Sequence, residues 1–503
     1  MWLLIIFNNL TLKSYSCMKN ISLLLVLSAA LNLNAQVGIG TDTPNDAAAL
    51  EVSSTSKGLL PPRMTALQRN AISNPPTGLL IWCIDCGDYG ELQVFNGSTY
   101  TNIIGGTRSL TDGNNQLGAD LDGEAADDRC GMSVSLSNDG SILAIGADQN
   151  DGNGANSGHV RVFQYSSGTW TQLGNDIDGE STGDRFGYSV SLSGDGSKLA
   201  VGAFLNDGNG SDAGHVRIFE YSSGSWSQIG NDIDGESSGD YSGISIGLSD
   251  NGTIVAIGAS NNDDGGTDAG HARVFEYSQG SWVQLGSDID GDNAGDGAGY
   301  KVALSANGLR LAIGANGNDD NGTDAGQVRV FEYSSGSWSQ MGSDILGDAS
   351  GDKMGYGVSL SSDALICAVG ALGNQNNTGH VKVFEFSSNS WNQIGSDIEG
   401  EAQGDNFGFE LSLSSDGETL IIGGYSNDGN GSSSGHVRVF ENVNSTWIQK
   451  CSDINGENAG DLFGISNAIS SDGTIIAIGA INNGGNGSGA GHVQVYNNLN
   501  GGI

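Results

Sequence analysis

A five-residue acidic signature, Asp176-Ile-Asp-Gly-Glu180, returns with small variations beginning at Asp120, Asp232, Asp288, Asp344, Asp397 and Asp453. The offset is 56 residues at every step except that from Asp344 to Asp397, which is 53. A fixed period of this length makes each copy one supersecondary unit that cannot bury its apolar face alone, so neighbouring copies must stack. Each copy contains an acidic loop, an alternating run such as Tyr188-Ser-Val-Ser-Leu192, a Gly-Asp-Gly turn and Lys198-Leu-Ala-Val-Gly-Ala203. An Asn-Asp-Gly-rich loop, His215-Val-Arg-Ile-Phe-Glu-Tyr221, a Ser-Ser-Gly turn and Trp226-Ser-Gln-Ile-Gly230 complete it. Four short strands divided by turn residues are the content of a propeller blade. The 82 glycines and 5 prolines suit many tight turns better than long helices.

The two ends of the repeat region fit a ring. The last copy stops at His492-Val-Gln-Val-Tyr496 without a fourth strand, while Asn114-Asn-Gln-Leu-Gly118 stands unclaimed before the first copy. A strand supplied from the N-terminal side would close the circle and remove the exposed sheet edges of an open β-solenoid. We therefore expect an all-β fold, a seven-bladed β-propeller over residues 106–503, closed by that strand. In a four-stranded meander, the second-to-third loop and the connection to the next blade share one face. Both acidic loops then lie together, and the opposite face carries only short turns.

The Asp-Arg-Phe-Gly of Asp184–Gly187, followed by Ser189-Val-Ser-Leu and Val201-Gly-Ala203, resembles the FG-GAP repeat of integrin α-chain propellers and bacterial surface propellers. The likeness spans about residues 114–496. Its glycine is present in every copy, at Gly131, Gly187, Gly243, Gly299, Gly355, Gly408 and Gly464, as close backbone approach or positive φ would require. Its phenylalanine holds only at Phe186, Phe407 and Phe463. Integrin-type blades often hold calcium between their first and second strands. Here that place is a short turn such as Asn138-Asp139-Gly140, too small to surround an ion that takes six to eight oxygens.

The N-terminal region has a different texture. Met18-Lys19-Asn20 and the apolar run Ile21–Leu31, ending at Leu33-Asn34-Ala35, have the pattern of a secretory signal peptide, with maturation expected near Gln36. Met18 would be the true start, the alternative being a longer uncleaved anchor over residues 1–35. No cysteine follows the cleavage point, and no later stretch reaches the apolar length of a spanning helix, so no transmembrane span is expected in the mature chain. Residues 36–105, with Val37-Gly-Ile-Gly-Thr-Asp-Thr-Pro44 and Gly58-Leu-Leu-Pro-Pro-Arg-Met64, form a small β-rich spacer. This segment resembles the N-terminal module of exported proteins from type IX-secreting bacteria, itself similar to fibre-neck segments. Such proteins often end in a sorting domain, and none is visible before Ile503. The expected address is secreted or cell-surface, with the periplasm as the alternative.

With 58 acidic and 19 basic residues the formal net charge is −39, which repels nucleic acid and offers many carboxylates to divalent cations. An acid, a second acid four residues on and an Asp four beyond that recur in every copy. These candidate ligand and calcium-binding residues are Asp120, Glu124, Asp128; Asp176, Glu180, Asp184; Asp232, Glu236, Asp240; Asp288, Asp292, Asp296; Asp344, Asp348, Asp352; Asp397, Glu401, Asp405; and Asp453, Glu457, Asp461. The competing reading is that they build turns and are otherwise solvated. Cys83 and Cys86 could close a small disulfide, whereas a zinc site would need a second pair nearby. The six histidines occupy one repeat position, with Gln327 in the remaining copy, and point to a structural hydrogen bond at the third strand. The repeated tryptophans, Trp226 among them, are expected to pack, the alternative being sugar-stacking platforms. No catalytic set stands out from the repeat. The expected function is non-enzymatic binding or adhesion to an extracellular protein or glycan. The alternatives are a polysaccharide hydrolase or lyase working in a central channel, and a structural surface-layer component. Leu346 and Asn374–Asn377 are the least regular places and the first to search for activity.

Overall fold

In a computed structural model of the chain, residues 116–497 are described without interruption, together with short stretches between residues 37 and 102. The chain divides into two compact units, Met1–Ile104 and Gly105–Ile503. In the first, Val37–Ile39 pairs in parallel with Leu50–Val52, and Arg63–Met64, Leu80–Cys83, Glu91–Phe95 and Tyr100–Asn102 form a second sheet. Among the described residues no helix is long and apolar enough to cross a membrane.

The second unit is all-β and propeller-like, a succession of antiparallel sheets of four or five strands, one per repeat. The second copy is representative. Its strands Ser189–Leu192, Lys198–Ala203, His215–Ser222 and Ser225–Gln228 form a meander in that spatial order. The Lys198–Ala203 strand is a near-continuous apolar run because both of its faces are covered by neighbouring sheets. The outermost strand is broken: Ile233–Asp234 pairs with the inner end of His215–Ser222, beyond Ser225–Gln228. The sequence reading placed the whole acidic signature in the inter-blade connection. Its apolar second residue pulls its first half into the sheet instead, where Ile233 is buried.

The Gly-Asp-Gly turns are closed by their own side chains. Asp195 Oδ1 accepts from the Ser197 amide and from the hydroxyls of Ser193 and Ser197. The short turn is thus self-contained.

Cores form between sheets. One contains Val160, Val162, Val190, Leu199, Val201 and Phe219 from adjacent copies. Another unites Val134, Leu143 and Ile145 of the first repeat sheet with Ala477, Val493 and Val495 of the last. Leu121–Asp122 forms the outer strand of that last sheet against His492–Asn497, and Gln116 bridges Tyr496. The N-terminal side therefore closes the last sheet, through Leu121–Asp122 and, of the expected Asn114–Gly118, through Gln116, while Asn114 and Asn115 lie outside the described residues; the paired residues are 370 or more positions apart.

Candidate functional site

The acidic connection and the Asn-Asp-Gly loop are laced into one surface. The amides of Gly183, Arg185 and Phe186 donate to the carbonyls of Ala155, Asn156 and Ser157, and the same pattern recurs around the unit. Within this surface the three acids of each copy have different partners.

The third acid is buried and committed to the protein. Asp184 Oδ2 accepts from the Ser181 amide at 3.1 Å and from Asn206 Nδ2 at 2.9 Å. Asp128, Asp240, Asp296, Asp352, Asp405 and Asp461 repeat the clasp with Asn150, Asn262, Asn318, Asn374, Asn427 and Asn483. The first acid is gripped by the glutamine four residues before it, as in Gln172–Asp176 at 2.5 Å and Gln228–Asp232 at 2.6 Å. Asp120, Asp288, Asp344, Asp397 and Asp453 are held in the same way. The second acid meets a cation from the third strand: Glu124–Arg161 at 3.7 Å, Glu180–Arg217 and Glu236–Arg273 at 3.3 Å, Asp292–Arg329 at 2.7 Å and Asp348–Lys382 at 2.5 Å. Glu457 instead accepts from Gln494, and Glu401 lies 3.9 Å from His436.

The three acids thus separate, and the histidines gather what remains. The second acid of one copy and the first acid of the next meet at a buried imidazole, giving Glu124–His159–Asp176, Glu180–His215–Asp232 and Asp348–His380–Asp397. At the seam, Asp120 and Asp122 approach His492. The structural hydrogen bond expected of these histidines is missing at several positions. His215, His380 and His492 leave Nε2 without a partner, His271 leaves Nδ1, and His436 leaves both nitrogens. Burial, reinforced by the adjacent arginine, lowers the His159 and His215 imidazoles to about 4. Burial also raises Glu124, Glu236 and Glu401 above the ordinary carboxylate range. A neutral imidazole between two carboxylates can ligate a divalent cation. The neighbouring arginine already supplies part of the positive charge a cation would bring.

The first strands of the repeat sheets line a central cavity of about 370 Å³. Here three copies depart from the serine of the other four. Lys301 Nζ spans to both carboxylate oxygens of Glu410, at 2.8 and 2.6 Å, two sheets away. The corresponding positions of other copies hold Ser133, Ser189 and Ser466, whose hydroxyls staple to the carbonyls of Gly187, Gly243 and Gly131. At the loop end of the cavity, Tyr188 packs on Phe204 and Tyr300 on Tyr356, with ring centroids 4.4 and 4.7 Å apart. Phe409 contacts both Tyr356 and Tyr425. Arg129 and Arg185 converge on the buried Asp148 at 3.4 and 3.3 Å.

Sequence reading missed this group. Laying the copies over one another at the first strand exposes Lys301, Gly357 and Glu410 as departures in one column. The irregular places chosen instead play backbone roles. Leu346 pairs with Gln327, and Asn374–Asn377 is a short helical turn that keeps the clasp on Asp352.

Five of the repeated tryptophans join consecutive outer strands, while Trp447 Nε1 is left without a partner. Trp226 Nε1 donates to the Leu173 carbonyl at 2.8 Å and packs on Tyr221. Cys83 is disulfide-bonded, and Cys86 lies outside the described residues. The upstream segment Met1–Cys17, the signal-peptide reading and its cleavage point also lie outside them.

The match to a repeat family agrees with the repeated sheets. Residues 120–163, 177–219 and 399–440 match the FG-GAP repeat, and residues 38–116 match the phage tail like trimerisation region. No curated protein matches the chain. One of the solved structures similar to it is a Bacteroides uniformis protein assigned as a 6-phosphogluconolactonase, at 12% identity and a TM-score of 0.47. The match covers 74% of this chain and 93% of that one.

Proposed function

We propose that this chain, with its FG-GAP repeats, is an exported binding or adhesion protein. It is a closed seven-bladed propeller whose acidic loop face engages a protein or glycan outside the cell. The observation that carries this reading is the lacing of two acidic loops per repeat into one continuous surface. First and second acids such as Asp232 and Glu180 remain at least partly exposed on it. They are the groups offered to a partner or to calcium, because the third acids are already satisfied internally. Export rests on the charged and apolar pattern of Met18–Ala35. The match of residues 38–116 to a phage tail like trimerisation region adds an assembly reading: three chains joined at their N-terminal regions would present three propellers at once.

A second reading, polysaccharide hydrolysis or lysis in the channel, is favoured by the Lys301–Glu410 pair. A turnover screen on polysaccharides with the wild type, Lys301→Met and Glu410→Gln separates the two. Binding without turnover in all three supports the adhesion reading, whereas turnover lost in either variant supports the enzyme.

A further inference from the structure

We propose that the third repeat sheet carries a divalent transition-metal site formed by Glu236, Asp264, His271 and Asp288. One ligand atom from each lies within 4.8 Å of the other three. This is the one four-residue group among the clusters named above, the others stopping at three residues.

The difference arises at two adjacent loop positions. Where other copies have Gly152-Asn153, Gly208-Asn209, Gly429-Asn430 and Gly485-Asn486, this copy has Asp264-Gly265. The asparagine is a clamp in those copies. Asn153, Asn209, Asn430 and Asn486 donate to the carbonyls of Gly179, Gly235, Gly456 and Gly123 at 2.8–2.9 Å. Gly265 cannot make that bond, so this copy gives up one stabilising clamp. In exchange the loop gains a third carboxylate beside two others, a repulsive arrangement until a cation arrives. The fourth copy has Asp320 but keeps Asn321, and Gln327 stands in place of its histidine.

The imidazole supplies independent evidence. His271 is 1% exposed, and its Nδ1 has no hydrogen-bond partner although it faces Glu236 Oε2 at 3.9 Å. An orphaned, buried ring nitrogen directed into a carboxylate cluster is the donor a metal would satisfy. Arg273 holds Glu236 Oε1 at 3.3 Å and donates to the Asp234 carbonyl at 2.7 Å, which orients the carboxylate and leaves Oε2 for the ion. Burial, reinforced by Arg273, lowers the His271 imidazole and so favours the neutral form that a ligand must have. Tetrahedral zinc places its ligands about 3.4 Å apart. Closing from 4.8 Å is a small movement for the exposed Glu236 and Asp264. An imidazole with three carboxylates favours zinc and its first-row neighbours over calcium, which takes oxygen ligands.

The inference rests on the repeat geometry; Glu236 and Asp288 also belong to the acidic face of the proposed function, and a titration with metal alone reads this site without any partner. Its test is calorimetric titration of the chelator-treated full chain with zinc chloride, with calcium chloride as the counterpart. Asp264→Gly restores the residue of four other copies, and His271→Gln installs the residue of the fourth. We expect one zinc per wild-type chain, at least tenfold weaker binding in either variant, and metal-free melting no lower than wild type in Asp264→Gly, which relieves the repulsion among the three carboxylates. Gly208→Asp should create a second site beside His215. Equal zinc affinity in wild type, Asp264→Gly and His271→Gln would overturn the proposal, as would calcium binding equally well at this site.

Discussion

At the scale of single residues, glycine sets the spacing between sheets. A Cβ on Gly202 would lie 2.2 Å from the Gly243 carbonyl oxygen, and the other second-strand glycines meet the next copy at similarly short range. Gly243 also has φ of +89°, so the paired glycines answer both to close approach and to backbone conformation. Gly202→Ala should therefore destabilise the unit by about 1–3 kcal/mol or more through overpacking, measured by denaturant unfolding. The histidines make a pH-dependent contribution. His159, His215 and His436 are held near 4 when folded and titrate near 6.5 when free. The unfolded chain therefore takes up these protons first, and stability falls as pH drops from about 6.5 to about 4, by at most about 3 kcal/mol per histidine. Raised carboxylates such as Glu124 and Asp178 act in the opposite sense and offset part of it. His215→Gln, which copies the residue standing at Gln327, should move the acid-unfolding midpoint to lower pH. A midpoint that stays put would contradict this role.

At the scale of elements, the closing strand is the most exposed dependency. Leu121–Asp122 covers the edge of His492–Asn497, and the Leu117 amide also bonds the Val495 carbonyl. A chain beginning at Gly123 should melt well below the intact protein and associate with increasing concentration, followed by calorimetry and light scattering, because an open edge is a template for pairing. Much of this level was legible from the order of residues alone. The period, the four strands and the incomplete last copy are local signals, and so are the turn residues. The split of the outer strand was not, because Ile233 competes between loop and sheet and only the buried pocket beneath it decides. The site was less legible still. Glu180 and Asp232 meet at His215 through neighbouring sheets, and Lys301 reaches Glu410 across the cavity, juxtapositions that no spacing rule encodes.

At the scale of the whole molecule, regular loops on one side and an irregular cavity lining at the centre offer two different surfaces for function. Trimerisation through the N-terminal region predicts a mass three times that of the chain by light scattering, reduced to one when residues 36–105 are removed. Multivalence of that kind would raise avidity without new contacts in the propeller. The most direct test of the central claim is binding to an array of glycans and extracellular proteins. The wild type is compared with a variant carrying Glu180→Gln, Asp232→Asn, Glu236→Gln and Asp288→Asn, and with Lys301→Met. A partner captured by the wild type is expected to be lost by the loop-face variant and kept by Lys301→Met. Retention by the loop-face variant together with loss by Lys301→Met would contradict the claim and move the function into the channel.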